Sequence, residues 1–136
     1  MRQEMRLVLV LAMVFASLAC QKTANSLKEV TAVAVGRGKV VIKTESGDLK
    51  RGPNDLVVEF QDSTGRLLSV EDASLSAVMP MPGMSPMTTS MPLQPGTEKG
   101  RFIGKAEFGM SGSWQFTADF KLPAGPERAS FNLNVR

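Results

Sequence analysis

The chain has 136 residues, with 16 lysines and arginines against 13 aspartates and glutamates, a formal charge of +3, one cysteine, no histidine and no tyrosine. The absence of histidine excludes a Ser-His-Asp triad, a Cys-His pair and any histidine-ligated zinc or type 1 copper site, and the single cysteine excludes an intramolecular disulfide. The weak positive charge, with both signs interleaved along the chain, excludes a nucleic-acid footprint and a polybasic membrane contact.

Residues 1–19 read as an export signal: Arg2 and Arg6, an apolar run from Leu7 to Phe15, then Ala16-Ser17-Leu18-Ala19 before Cys20. The run is too short to span a bilayer as a helix. Small residues ahead of a cysteine resemble the lipobox of bacterial lipoproteins, which implies cleavage before Cys20 and its acylation. Ala19 and Cys20 fit that pattern, whereas Ser17 and Leu18 depart from it, and the alternative is an ordinary cleaved signal with a fortuitous cysteine. Acylation accounts for a lone cysteine in an exported protein, because an acylated thiol neither oxidises nor mispairs. The expected location is the cell envelope, facing the periplasm. Gln21, where some enteric lipoproteins carry an inner-membrane aspartate, points to the outer membrane. Losing Arg2, Arg6 and Glu4 with the signal lowers the formal charge to +2.

Residues 20–38 are expected to be a tether, with Val33 to Val35 a candidate early strand, and residues 39–136 a single β-domain. Val40-Val41-Ile42-Lys43-Thr44 is a β-branched run, and Leu56-Val57-Val58-Glu59-Phe60 reads as a buried strand. Asp62-Ser63-Thr64-Gly65-Arg66 is a turn of hairpin type, its glycine free to take a positive φ. Ala73 to Met79 alternates and runs into a methionine-rich loop. Beyond it, Phe102, Gly104, Ala106 and Phe108 share one strand face, as do Trp114, Phe116, Ala118 and Phe120, and then Phe131, Leu133 and Val135. About seven short strands at regular turn spacing, with no amphipathic helix after the signal, predict an all-β, immunoglobulin-like β-sandwich. Trp114 is expected between the sheets.

The chemistry concentrates in Met79-Pro80-Met81-Pro82-Gly83-Met84-Ser85-Pro86-Met87-Thr88-Thr89-Ser90-Met91. The carboxylates have no general acid/base spacing, and the Gly36-Arg37-Gly38 and Gly109–Gly112 segments lack the context of a phosphate cradle, so no enzyme is expected. A thioether is a soft, uncharged donor suited to Cu(I). Pro82-Gly83 predicts a type II turn that brings Met81 and Met84 within about 7 Å at their Cα atoms. Met79 shares a strand face with Met81 and completes a candidate three-sulfur site. Met87 lies roughly 9 Å from Met84 along an extended polyproline-like stretch, so Met87 and Met91 are secondary candidates. Met110, in a late turn, is a further candidate from across the sandwich. The alternatives are an apolar cap over the sandwich and an adaptable surface for a protein partner.

The order of these features resembles the YtkA-like family, related to the FixH-like proteins, over roughly residues 39–136. The resemblance rests on the Val-rich first strand with Lys43 and Thr44, Gly52-Pro53-Asn54, Phe60-Gln61-Asp62 with Gly65-Arg66, and Ala77-Val78-Met79-Pro80-Met81. It continues in Gly100-Arg101-Phe102, Met110-Ser111-Gly112-Ser113-Trp114 and Ala129-Ser130-Phe131. It implies an immunoglobulin-like envelope domain of the kind linked with copper handling or metal-efflux adaptors, and gives Met79, Met81 and Met84 the family's metal role. Without histidine the site is all-sulfur, favouring Cu(I) or Ag(I) over Cu(II). The expected function is a lipid-anchored envelope protein that binds or transfers Cu(I), partnered by the membrane through its anchor and by an envelope metal-handling protein. The alternative is a non-enzymatic module docking on an efflux or oxidase-assembly complex.

Overall fold

The computed structural model describes residues 26–136. The signal and Cys20 lie outside the described residues. Nine strands follow in order: β1 (Lys28–Val35), β2 (Gly38–Thr44), β3 (Gly52–Asp62), β4 (Asp72–Met79), β5 (Met87–Met91), β6 (Leu93–Pro95), β7 (Arg101–Phe108), β8 (Gly112–Leu122) and β9 (Gly125–Val135). They form two antiparallel sheets, one in the order β1-β2-β3-β7-β6 and the other β5-β4-β8-β9. The neighbours β2, β3, β7 and β6 facing β4, β8 and β9 reproduce the strand order of an immunoglobulin sandwich, with β5 as an added edge beside β4.

The expected architecture is therefore present with nine strands where about seven were expected. β1 lies within the segment expected to be tether. Its β-branched Thr31, Val33 and Val35 pair along β2, Val30 falls at a register shift between Glu29 and Thr31, and Val30 and Val35 pack on the core. β5 and β6 arise after the methionine loop. Pro95 is tolerated because β6 is an edge strand. The turn at Asp62 returns the chain only as far as a bridge between Gln61 and Leu67 before β4 begins in the other sheet. Gly65 takes φ +89° there, and Asp62 Oδ1 accepts from the Thr64 and Arg66 amides at 2.8 and 3.0 Å.

Alternation sets the core as expected. Phe102, Ala106 and Phe108 of β7 and Trp114, Phe116, Ala118 and Phe120 of β8 are buried between the sheets with Val40, Ile42, Leu56, Val58 and Phe60. Phe60 meets the Phe102 ring edge-on at 5.7 Å and Phe120 at 4.5 Å, while Phe108 meets Trp114 at 5.2 Å. The Trp114 Nε1 donates to the Met110 carbonyl at 3.1 Å, which satisfies the polar edge of a buried indole.

Topology decides which loops meet. The β4–β5 loop, the β7–β8 turn and the β2–β3 loop lie at one end of the sandwich. Leu49 of the last bridges to Val135, which pairs with Gly112, and the Arg51 amide donates to the Arg136 carbonyl. The β1–β2 turn, the turn after Asp62 and the β8–β9 turn lie at the other.

Candidate metal site

The methionine segment is a hairpin. β4 and β5 pair antiparallel with Leu75 across from Met91, Ala77 across from Thr89 and Met79 across from Met87, and residues 80–86 close the loop. Pro82 and Gly83 form the predicted type II turn: Gly83 has φ +75°, and the Met84 amide donates to the Met81 carbonyl at 3.1 Å. Proline fixes the second position of this turn and glycine supplies the positive φ of the third.

Register determines which sulfurs can converge. Directly paired residues of an antiparallel ladder hold their Cβ atoms about 4.5–5.5 Å apart on one face, so Met79 and Met87 stand side by side. Both are half-buried and pack on the core. Val78 pairs with Gln115, which sets Met79 across from Trp114 on its other side. Met87 thus begins a strand rather than continuing an extended coil. Thr88, Thr89 and Ser90 supply the β-branched and small residues that let the strand form directly after Pro86.

The tips of both thioethers reach the β7–β8 turn. A Cβ placed on Gly112 would lie 2.6 Å from the Met79 Cε, and one on Gly109 would lie 2.7 Å from the Met87 Cε. These glycines flank Met110, so the turn that carries the third methionine is floored by the first two. Met110 itself is 42% exposed, and its carbonyl is fixed by Trp114. The geometry therefore gathers Met79, Met87 and the Met110 turn at one end of the sandwich.

The remaining candidates separate. Met81 is half-buried at the start of the type II turn, and Met84 at its far side is 69% exposed. Met91 is 1% exposed in the core, two inward positions beyond Met87. Its thioether is fixed by packing between the sheets, away from the loop. Among the described residues no group of three or more cysteine, aspartate or glutamate side chains gathers to hold a hard metal ion. The donors that the hairpin and the β7–β8 turn bring together at this end are thioethers, which suit Cu(I). Sequence reasoning alone centred the site on Met79, Met81 and Met84. The Met79–Met87 pairing was accessible from one signal, two alternating runs symmetric about a Pro-Gly turn, but the glycine floor depends on how the two hairpin ends meet.

The titratable groups with perturbed acidity lie elsewhere. Glu59, on the outer face of the first sheet, accepts from Lys43 Nζ and Arg101 Nε at 3.2 Å each and from Gln61 Nε2 at 2.6 Å. Burial pushes its carboxyl up, but the hydrogen bonds from Gln61 and Lys43 and the charges of Lys43 and Arg101 outweigh burial and hold it below the ordinary glutamate range. At the end opposite the methionines, a cleft of about 390 Å³ has an apolar floor of Phe60, Leu68 and Phe120 and a rim that includes Arg37, Lys39 and Glu127.

Residues 33–119 match the family model described as YtkA-like. No curated protein matches the chain. Among solved structures, the fold is similar to that of a DUF4426 family protein from Pseudomonas aeruginosa, with a TM-score of 0.54 and 12% identity over 83% of this chain and 97% of that one. It is also similar to a copper-bound variant of FetP from uropathogenic Escherichia coli, with a TM-score of 0.52 and 7% identity over 80% of this chain and 97% of that one. At these identities the likeness is one of fold.

Proposed function

The chain belongs to the YtkA-like family, and from that footing we propose that it is a lipid-anchored protein of the bacterial cell envelope that binds and passes on Cu(I) through the methionines at one end of its sandwich. The observation that carries the reading is the direct pairing of Met79 with Met87, both thioether tips resting on the turn that bears Met110. Met79, Met87 and Met110 supply three neutral sulfur ligands. Such a set stabilises a soft monovalent ion and gives no preference to Cu(II). Met81 and Met84, on the exposed turn, hand the ion between this set and a partner. The copper found in a FetP variant of the same fold lends support to the choice of metal.

The anchor rests on the Ala19-Cys20 signal pattern. The test is a titration of the soluble domain, begun after Cys20, with Cu(I) against a competing chelator. The unmodified domain should withdraw Cu(I) from the chelator, and a Met79→Leu, Met87→Leu, Met110→Leu variant, which keeps bulk and apolarity, should not. Failure of the unmodified domain to compete would end the metal reading.

A second reading is favoured by one observation, the exposure of Met84 and Met110 on the same end. There the loop serves as an apolar contact for an envelope protein complex. It predicts that leucine replacements preserve partner capture, whereas the metal reading predicts that they abolish Cu(I) transfer.

A further inference from the structure

The first strand fixes the direction from which the anchor reaches the fold. β1 sets Lys28 across from Thr44 and Val35 across from Gly38, so the chain enters beside the β2–β3 loop and runs away from it. Gly47 of that loop lies against Lys28, close enough that a Cβ there would stand 3.1 Å from the Lys28 Cβ. The same loop belongs to the methionine end through Leu49 with Val135 and Arg51 with Arg136. The chain therefore arrives at the end that carries the methionines.

Length limits the alternative. The stretch from Cys20 to Lys28 spans at most about 29 Å when fully extended. To bring the opposite end to the bilayer, it would have to double back beside β1, which consumes roughly 23 Å at strand rise, and then pass the β1–β2 turn. Almost none would remain to reach the lipid.

The surface agrees. Among the described residues, the exposed large apolar side chains are Met84, Met110 and Ile103, and two of these three stand at the methionine end. Pro80, Pro82 and Pro86 are exposed beside them. Charged side chains stand at both ends, Arg37, Lys39 and Glu127 at the opposite one and exposed Glu45, Lys50, Arg51 and Arg136 around the methionine end, so the apolar side chains rather than charge distinguish the latter. Resting on the lipid-anchor reading above, we propose that the methionine end is the membrane-facing end of the sandwich, with Met84 and Met110 seated against the phospholipid headgroups. The thioethers then meet their metal at the bilayer surface.

The test uses the full chain matured in a bacterium, purified with its anchor and reconstituted into vesicles of phosphatidylethanolamine and phosphatidylglycerol. A single new thiol is introduced by Met84→Cys at one end or Ala124→Cys at the other, both exposed positions, and carries a fluorophore. Quenching by headgroup spin-labelled lipid should be several-fold stronger for the label at position 84. Equal quenching, or stronger quenching at position 124, overturns the orientation. Mass spectrometry of Cys20 separates the two failures. An acylated protein with equal quenching sinks the orientation alone, whereas an unacylated protein that stays off the vesicles sinks the anchor reading and the orientation with it.

Discussion

Two glycines at the methionine end, Gly109 and Gly112, and one at the opposite end, Gly125, separate backbone strain from side-chain overlap. Gly125 has φ +138° with no atom within 4 Å of a would-be Cβ, Gly112 has φ +133° with the Met79 Cε at 2.6 Å, and Gly109 meets only the Met87 Cε at 2.7 Å. Gly125→Ala should therefore cost about 1–2 kcal/mol from the left-handed backbone alone. Gly112→Ala should cost that plus about 0.5–1.5 kcal/mol for driving the Met79 side chain off its rotamer. Gly109→Ala carries only the rotamer cost, which the reduced entropy of its unfolded chain offsets by about 0.4–1 kcal/mol, leaving stability nearly unchanged. Cu(I) affinity should follow a different order. Gly109→Ala and Gly112→Ala each move one of the paired thioethers and should weaken binding roughly tenfold, about 1.4 kcal/mol, while Gly125→Ala should bind as the unchanged protein does. Urea unfolding followed by Trp114 fluorescence measures stability, and chelator competition measures affinity. Unchanged Cu(I) affinity in both Gly109→Ala and Gly112→Ala would refute the assignment of Met79 and Met87 to the site.

The methionines should differ in stability as they do in burial. Met91→Ala should cost about 2–5 kcal/mol as a core truncation, whereas Met84→Ser should stay within about 0.5 kcal/mol; equal effects in thermal unfolding would contradict their assigned surroundings. The Glu59 cluster predicts an acid dependence. Its carboxyl is held below the ordinary glutamate range in the fold, so its contribution is complete above that range and is lost as pH falls through the folded value. Glu59→Gln should destabilise the domain by about 2 kcal/mol at neutral pH and flatten the fall in stability on acidification; a variant with the same acid slope as the unchanged protein would contradict this.

Much of the sandwich was legible because alternation is a local signal. Phe102 to Phe108 and Trp114 to Phe120 announce their buried faces, and Pro82-Gly83 announces its turn. Composition hid β5 and β6 and most of β1. Within the stretch that reads as tether only Val33 to Val35 was a candidate strand, and pairing along β2 extends it back to Lys28. Met87–Met91 follows Pro86 closely enough to read as loop, and pairing with β4 makes it β5. The site was legible in its chemistry but not in its membership. Soft donors and missing histidines are visible in any order of residues, whereas the pairing of Met79 with Met87 depends on hairpin register. The approach of the Met110 turn depends further on the crossing of β7 to β8 between sheets.

The central claim is that thioethers alone hold Cu(I) at this end of the sandwich. X-ray absorption at the copper edge of the Cu(I)-loaded domain tests it most directly. The prediction is a first shell of sulfur only, lost in the Met79→Leu, Met87→Leu variant. A shell of nitrogen or oxygen, or an unchanged sulfur shell in that variant, would contradict it.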